Sequence, residues 1–232
     1  MKIKVFADGA KLEDMKAAYK SGKVQGFTTN PTLMRQAGIS DYEDFAKSVL
    51  AEIKDMPISF EVFADDFPTM ETQAGRINGW APNVYVKIPV TNTKGVSAAP
   101  LIRKLSHAGV KLNITAQLTL DQVKEVVEAT SPDTPSVISV FAGRVADTGV
   151  DPVPLMKSAL EICKSRPKAE LLWASPREVL NIYQAEEIGC HIITVTPDLI
   201  KKLGLRGKDL KQYSLETVAM FYNDATQAGF SL

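Results

Sequence analysis

Short apolar or alternating runs recur along the chain, and each is followed by a stretch of helical composition. The runs begin near residues 3, 24, 58, 84, 111, 136, 171 and 191. Strands that alternate with helices imply a parallel sheet. Eight such units, in a chain slightly shorter than the usual barrel of about 250 residues, predict an α/β fold of the closed (β/α)8 TIM-barrel type. A doubly wound open sheet is the alternative.

The helices between these runs carry recognisable start signals. Asp151 and Ser175 each precede a proline, so a capping side chain is followed by proline at the first helical position. The predicted helices span 11–21, 42–54, 69–79, 96–107, 120–129, 152–164, 176–188 and 197–203. A further helix over 215–227 follows the eighth unit. We expect one TIM-barrel domain over residues 1–232, with 205–232 as a C-terminal helical extension.

Composition and charge narrow the possible functions. A hydrophobic fraction of 45% and a charged fraction of 23% are ordinary for a globular protein, which excludes disordered, collagenous and disulfide-stapled classes. Lys and Arg (27) balance Asp and Glu (27), so the net positive field of a general nucleic-acid binder is missing. We therefore expect no nucleic-acid partner, while a local arginine cluster remains able to bind a small anion.

The scarce cysteines and histidines restrict the chemistry. Cys163 and Cys190 lack metal-type spacing and are interpreted as core residues, and His107 and His191 form neither an HExxH nor an HxH pair. No strand runs into a GxGxxG or GxxxxGK[ST] turn. We expect no metal and no cofactor, so acid–base work falls to carboxylates, lysines or tyrosines. Without a signal-peptide core or an apolar run of about 18 residues, a cytoplasmic protein away from membranes is expected.

Ionisable residues inside predicted strands are the strongest anomaly. Lys87 lies in Val84-Tyr85-Val86-Lys87-Ile88-Pro89, on the strand face opposite the valines. In a barrel this side chain points into the interior near the C-terminal rim, where desolvation favours the neutral, nucleophilic amine. An isolated strand lysine is more often an edge or snorkelling residue. However, Glu61 and Asp8 have the same inward phase, and an ion network kept for stability alone is a poor explanation.

Later strands add polar groups in matching phase. Alternation directs three pairs inward: Asn113 with Thr115, Ser139 with Phe141, and Trp173 with Ser175. Arg144 and Arg177 follow the sixth and seventh strands. Together with Ser175 and a helix N-terminus, the two guanidinium groups predict an anion site. Barrel phosphate sites commonly lie at the last βα loops, so a phosphorylated substrate is expected.

These segments resemble the transaldolase family, in particular its short bacterial and archaeal branch with the fructose-6-phosphate aldolases. The similarity spans nearly the whole chain in order, and two motifs are specific in combination: Thr28-Thr29-Asn30-Pro31 and Val86-Lys87-Ile88-Pro89. Further matching segments are Phe6-Ala7-Asp8-Gly9, Asn113-Ile114-Thr115, Ser139-Val140-Phe141-Ala142-Gly143-Arg144 and Ala174-Ser175-Pro176-Arg177.

The resemblance implies a role for each candidate residue. Lys87 would form a Schiff base with the C2 ketone of a ketose phosphate, and Asp8 would handle the C4 hydroxyl proton during carbon–carbon cleavage. Glu61 would act through a water held with Thr115. Asn30, Asn113 and Ser139 would bind the hydroxyl groups of the three-carbon unit, and Arg144, Ser175 and Arg177 would bind the phosphate. The family also implies sugar phosphates as small-molecule partners, the pentose phosphate pathway, and homo-oligomers of five or ten subunits.

Two positions separate the branches of this family. The aldolases typically have Gln where this chain has Glu61, and Tyr where it has Phe141. The resemblance therefore favours a transaldolase, because a phenol beside the enamine helps to protonate it and Phe141 does not. A fructose-6-phosphate-type aldolase and a non-catalytic sugar-phosphate-binding barrel are the alternatives.

Trp173 and Pro176 depart from the family pattern beside the expected anion site. The family more often has a small residue and Phe or Ile at these positions. These differences leave open a sulfonated ketose, of the 6-deoxy-6-sulfofructose type, as the substrate. Interior packing of Trp173 is the simpler explanation for that residue.

Overall fold

Eight parallel strands close into a barrel in the computed structural model, which describes residues 1–231. Each strand pairs in parallel with the next, and the first pairs with the eighth. The strands are β1 (Lys4–Asp8), β2 (Gly26–Thr28), β3 (Ile58–Glu61), β4 (Val84–Pro89), β5 (Leu112–Gln117), β6 (Ser136–Val140), β7 (Ala169–Trp173) and β8 (Ile192–Val195). The predicted TIM barrel is confirmed.

Helices follow every strand. They are α1 (Leu12–Lys20), α2 (Pro31–Gln36), α3 (Tyr42–Glu52), α4 (Phe67–Asn78), α5 (Ala99–His107), α6 (Leu120–Ala129), α7 (Ala142–Asp147), α8 (Pro152–Cys163), α9 (Leu180–Glu187), α10 (Pro197–Lys202) and α11 (Leu210–Ala228). Several begin at a side chain that accepts from a backbone N–H of the first turn, as predicted for Asp151. The short helices α2 and α7 were not predicted, whereas α10, which is equally short, was.

The predicted start of α9 is wrong. This helix begins at Leu180 rather than residue 176, and its N-cap is Val179. Ser175 therefore does not cap α9, whose N-terminus does not begin beside it as expected. The cause is local, because Ser175 has a φ of 57°, in the left-handed region that a capping residue does not adopt.

Two apolar layers hold the barrel together. The first lies between strands and helices, where Val86, Ile114 and Ile138 are fully buried. The second fills the interior at the level of Phe6, Val137, Leu172, Ala174 and Ile192. Burial of these side chains from water is the main favourable contribution to folding.

The second layer corrects the predicted phase of β7. Leu172 and Ala174 belong to the interior cluster, so Trp173 lies on the opposite face, where it is fully buried. A glycine completes the interior: a Cβ atom on Gly26 would lie 2.6 Å from the Phe6 ring, so only glycine leaves this ring its space.

By internal contacts the chain divides into two compact units, Met1–Ile200 and a second unit that begins at Lys201. The first unit contains all eight strands. In the second unit, α11 carries no buried residue and exposes large apolar side chains, among them Leu215, Val218, Phe221 and Tyr222. Its range is wider than the predicted 215–227. The single domain over 1–232 stays a prediction.

Two further findings concern residues 1–231. None of the helices described there is both long enough and apolar enough to cross a membrane. His107 ends α5, as predicted, and the Nδ1 atom of His191 accepts a hydrogen bond from the backbone N–H of Leu171 at 2.9 Å. His191 is thus part of the framework that joins β7 to β8.

Candidate active site

A cavity of about 470 Å³ lies at the C-terminal ends of the strands, and all eight strands or their following loops contribute to its lining. Nine of the eleven predicted site residues line it: Asp8, Asn30, Glu61, Lys87, Thr115, Ser139, Phe141, Arg144 and Ser175. Asn113 and Arg177 do not. This is the end of the barrel at which enzymes of this fold carry their chemistry.

Lys87 is buried in the wall of this cavity, with 6% of its surface exposed. Strand register places it beside Glu61, and its Nζ atom lies 3.0 Å from Glu61 Oε2. The same Nζ atom donates to the backbone carbonyl of Thr29 at 3.0 Å. One buried amine thus has an adjacent carboxylate, which is an arrangement able to move protons to and from nitrogen.

The position of Glu61 is fixed by contacts of Tyr42 with the end of β3. The Tyr42 hydroxyl donates to the backbone carbonyl of Glu61 at 2.7 Å, and burial raises the pKa of this phenol, which keeps it a donor. The Tyr42 ring packs against Phe60 and Trp80 with centroid distances of 6.4 and 5.8 Å. The end of β3, and with it the Glu61 carboxylate, is therefore fixed by both a hydrogen bond and aromatic packing.

Asp8 is the second buried carboxyl of the site. Its pKa is raised by burial, while the Lys87 charge and a hydrogen bond from Thr28 act in the opposite direction. The Thr28 hydroxyl donates to Asp8 Oδ1 at 2.8 Å. An acid whose pKa lies above its ordinary range is better suited to exchange protons near neutral pH than an exposed aspartate is.

A chain of hydrogen bonds connects side chains of β6, β5 and β3 inside the barrel. The Ser139 hydroxyl donates to Asn113 Oδ1 at 2.8 Å, and Asn113 Nδ2 donates to Ser59 Oγ at 2.9 Å. All three side chains are buried. Asn113 therefore orients Ser139 in the cavity wall, and Ser59, which sequence analysis did not single out, completes the chain.

Thr115 is buried in the wall, and its Oγ1 atom has no hydrogen-bond partner among residues 1–231. A buried hydroxyl without a partner is costly, so one that lines a cavity is available to a bound molecule. The next residue, Ala116, also lines the cavity and has a φ of 65°, at a point where the β5–β6 register shifts. Such a strained non-glycine residue is uncommon and is often found at functional sites.

The opposite wall is built by the ends of β6 and β7. Arg144 lies over the Phe141 ring, with its guanidinium carbon 5.6 Å from the centroid, and it is exposed. The backbone of Ser175 passes so close to Gly143 that a Cβ atom there would lie 1.5 Å from the Ser175 carbonyl oxygen. Glycine at 143 is thus required for Arg144 and Ser175 to share one wall.

Arg177 lies outside the cavity lining, on the exposed side of this wall. Its Nε atom donates to Asp147 Oδ1 at 2.8 Å, and its Nη2 atom bonds to Asp147 Oδ2. This two-point ion pair lowers the pKa of Asp147. Of the two predicted guanidinium groups, the structure brings Arg144 to the cavity and pairs Arg177 with a carboxylate beside it.

Asn30 has two structural roles. Its Oδ1 atom caps α2 by accepting from the Leu33 N–H at 2.9 Å, and the residue also lines the cavity. Because α2 was not predicted, its cavity-lining residues were missed, as were two threonines of the inner strands. These residues are Pro31, Thr32, Leu33 and Gln36 on α2, Thr28 on β2 and Thr194 on β8.

Trp173 does not line the cavity. It is fully buried, and its position follows from the corrected phase of β7. The departure from the family pattern at this position therefore reflects packing between the barrel and its helices.

A buried lysine with two carboxyl groups on one side, hydroxyls in the wall and an arginine at the rim suits covalent chemistry on a polar, anionic carbonyl compound. A family model described as transaldolase/fructose-6-phosphate aldolase matches residues 5–232. The chain belongs to this family. The resemblance found in the motifs is thereby confirmed, and the family indicates a transferase.

Similar proteins agree with this assignment. The chain is 36% identical over 194 residues to a probable transaldolase of Dehalococcoides mccartyi, covering 83% of this chain and 86% of the relative. It is 34% identical over 202 residues to a probable transaldolase 2 of Listeria monocytogenes, covering 87% and 88%. A solved 3-hexulose-6-phosphate synthase from Salmonella typhimurium shares the fold, with a TM-score of 0.57, 14% identity and coverage of 84% and 89%.

Proposed function

We propose that this member of the transaldolase family transfers a dihydroxyacetone unit from a ketose phosphate, of the fructose 6-phosphate or sedoheptulose 7-phosphate type, to an aldose phosphate. The observation that carries the proposal is the buried Lys87 amine in the cavity wall, 3.0 Å from the Glu61 carboxylate. Such an amine attacks a carbonyl carbon once it is neutral.

The first half of the reaction forms the covalent intermediate. Lys87 Nζ attacks the C2 ketone, and loss of water, assisted by Glu61 and Thr115 through a water molecule, leaves an iminium ion. Asp8 then takes the proton of the C4 hydroxyl as the C3–C4 bond breaks. The electron pair of that bond moves into the iminium, which becomes an enamine, and an aldose phosphate leaves.

In the second half, C3 of the enamine attacks the aldehyde carbon of the acceptor, and the protonated Asp8 returns its proton to the new hydroxyl. Water then hydrolyses the iminium and frees Lys87. Asn30 and Ser139 bind the hydroxyl groups of the three-carbon unit, and Asn113 orients Ser139. Arg144 and Ser175 bind the terminal phosphate, and Arg177, paired with Asp147, acts on it only from outside the cavity lining. Phe141 supplies no proton to the enamine, which favours transfer over release of free dihydroxyacetone.

The decisive experiment traps the intermediate. The protein is incubated with fructose 6-phosphate, reduced with borohydride and digested, and the modified residue is mapped by mass spectrometry. We expect a stable adduct on Lys87. Lys111, which directly precedes β5 and whose ammonium lies over the Tyr85 ring at 5.2 Å from the centroid, is the comparison lysine and should stay unmodified. A wild-type protein with no adduct on Lys87 would exclude the Schiff-base mechanism.

A second measurement separates transfer from aldolase activity. Turnover of fructose 6-phosphate is followed with and without erythrose 4-phosphate. Acceptor-dependent turnover supports the transaldolase, whereas equally fast release of dihydroxyacetone without acceptor would identify an aldolase. A 6-deoxy-6-sulfofructose donor in the same assay tests the sulfonate alternative.

We further propose that the protein is a homo-oligomer of five or ten subunits in the cytoplasm. The exposed apolar side chains of α11, among them Leu215 and Phe221, support association. Light scattering during size-exclusion chromatography measures the mass, and Phe221→Glu should shift it towards the monomer. A monomeric wild-type protein would contradict this proposal.

A further inference from the structure

Two threonine hydroxyls form a chain that ends at the buried Asp8 carboxyl. The hydroxyl of Thr28 donates to Asp8 Oδ1 at 2.8 Å, and its Oγ1 atom also lies within hydrogen-bond distance of Thr194 Oγ1. The three residues stand on adjacent strands, because β1 pairs with β2 on one side and with β8 on the other. All three line the cavity, and the two threonines are 2% and 6% exposed.

The direction of this chain follows from the count of protons. An ionised carboxylate only accepts, and each threonine hydroxyl has one proton to give. Since Thr28 gives its proton to Asp8, Thr194 must be the donor in the second bond. The chain therefore runs from Thr194 through Thr28 to the carboxylate, and two dipoles point at the negative charge. When Asp8 is protonated, the same groups can bond in the reverse direction.

Few charged groups surround Asp8, so the two hydroxyl groups matter for the stability of its ionised form. Neither β2 (Gly26–Thr28) nor β8 (Ile192–Val195), the strands that flank β1, contains an ionisable side chain. The charge acting on Asp8 comes across the interior from Lys87 on β4, which is itself paired with Glu61 on β3. From the adjacent strands, the stabilisation of a charged Asp8 comes through the hydroxyls.

We propose that Thr28 and Thr194 are positioning residues of the reaction, which act through Asp8: the hydroxyl chain holds the carboxylate in one orientation and stabilises its ionised form. This inference rests on the proposed function, in which Asp8 must be ionised to accept the proton of the C4 hydroxyl. Thr28 acts directly and Thr194 acts by committing the Thr28 proton to Asp8. Hydrogen bonds in such buried series strengthen one another.

The electrostatics of Asp8 agree with this role. Burial raises the pKa of Asp8, and the Thr28 hydroxyl is one of the two influences that lower it. Without that hydroxyl the pKa rises further, because a bond to the charged form has been lost. Asp8 then stays protonated over a wider pH range and is a poorer base.

The test compares Thr28→Val and Thr194→Val with wild type in kcat/KM against pH. We expect the acid limb to move to higher pH in both, with about a tenfold loss of kcat/KM on that limb for Thr28→Val and about a two- to threefold loss for Thr194→Val. Thr28→Ser and Thr194→Ser keep the hydroxyl and should restore the wild-type limb. Thr130→Val removes an equally buried hydroxyl that donates to Val127, away from the cavity, and should leave the limb unmoved.

A second readout does not need turnover. Urea unfolding is measured between pH 4 and pH 8 for wild type, Thr28→Val, Asp8→Asn and the double variant. The cost of Thr28→Val should grow with pH when Asp8 is present, because the folded protein then buries a less well-stabilised charge, and should be independent of pH in the Asp8→Asn background.

The outcomes are distinguishable. If no ketose is turned over but the loss of stability in Thr28→Val depends on pH as described, the proposed function is wrong, and the stabilisation of Asp8 by the hydroxyl chain is confirmed. If turnover is present while both valine variants keep the wild-type acid limb, the positioning role is overturned. Failure of the serine variants to restore the limb would overturn it as well, since volume rather than the hydroxyl would then decide.

Discussion

The two walls of the cavity differ in how deeply their charged side chains are buried. On the side of β1 to β4, the charged groups Asp8, Glu61 and Lys87 are largely buried and are held by short hydrogen bonds from neighbouring strands. On the side of β6 and β7, the charged groups Arg144 and Arg177 are exposed, and Ser175, in the left-handed region, lies two residues before Arg177. The acid, base and amine groups of the cavity thus lie where little water reaches them, whereas the two guanidinium groups lie in contact with solvent.

This difference has an energetic consequence. Electrostatic interactions are strong in a low-dielectric interior and are screened at an exposed rim. Changes on the buried wall should therefore alter the chemical step or the stability of the protein, whereas changes on the exposed wall should alter substrate affinity.

The largest effect is expected for Lys87→Ala. This change removes the amine that forms the Schiff base, so kcat should fall by on the order of 10³-fold or more. Steady-state kinetics measures the loss, and circular dichroism should show an intact fold. If the variant keeps a substantial share of the wild-type turnover, the nucleophile is another residue. The buried wall would then not be the site of the chemical step, and the contrast between the two walls would fail.

Arg144→Ala tests the exposed wall. Loss of a charge-assisted hydrogen bond of about 1.5–3 kcal/mol should raise KM for a phosphorylated donor by about tenfold to a hundredfold, with little change in kcat. Arg177→Ala is the comparison, and its effect should be smaller because Asp147 already neutralises that guanidinium. An unchanged KM for Arg144→Ala would show that the anion binds elsewhere.

Phe141→Tyr is expected to have an intermediate effect. A phenol at this position of the wall can protonate the enamine, so release of dihydroxyacetone in the absence of acceptor should rise by about tenfold. The rate is followed with fructose 6-phosphate alone. Equal release by wild type and variant would mean that residue 141 does not govern the fate of the intermediate.

Asp8→Asn tests the buried wall through the free energy of unfolding, for which we expect the smallest of these effects. The variant should also lose activity, because it lacks the carboxylate that we propose as the base. Because burial raises the pKa of Asp8, the folded state holds its proton more tightly than the unfolded state does, and stability falls as pH rises from the ordinary carboxyl range through the folded pKa. At pH 7 the variant should therefore be more stable than wild type. Below the ordinary carboxyl range, the two unfolding curves should converge; a constant difference at all pH values would contradict this explanation.

Much of the fold and of the candidate site followed from pattern alone. Strand periodicity directed Asp8, Glu61 and Lys87 to one interior, and the structure places all three in the cavity wall. The pattern misled at β7, where a run of apolar residues has no clear alternation and Trp173 was assigned to the wrong face. It also missed the short helices α2 and α7, although Asn30 and Pro31 give α2 the same start signal as Asp151 and Pro152 give α8.

The sequence by itself determined the barrel and the identity of its reactive groups, because alternating apolar positions and inward-phased ionisable residues are local properties of each strand. Only the tertiary structure decided which groups meet. The bonds of Thr28 to Asp8 and to Thr194, the approach of Gly143 to Ser175, and the pairing of Arg177 with Asp147 join residues that lie 20 to 166 positions apart in the chain. Such contacts depend on strand register and barrel closure, which no local pattern contains.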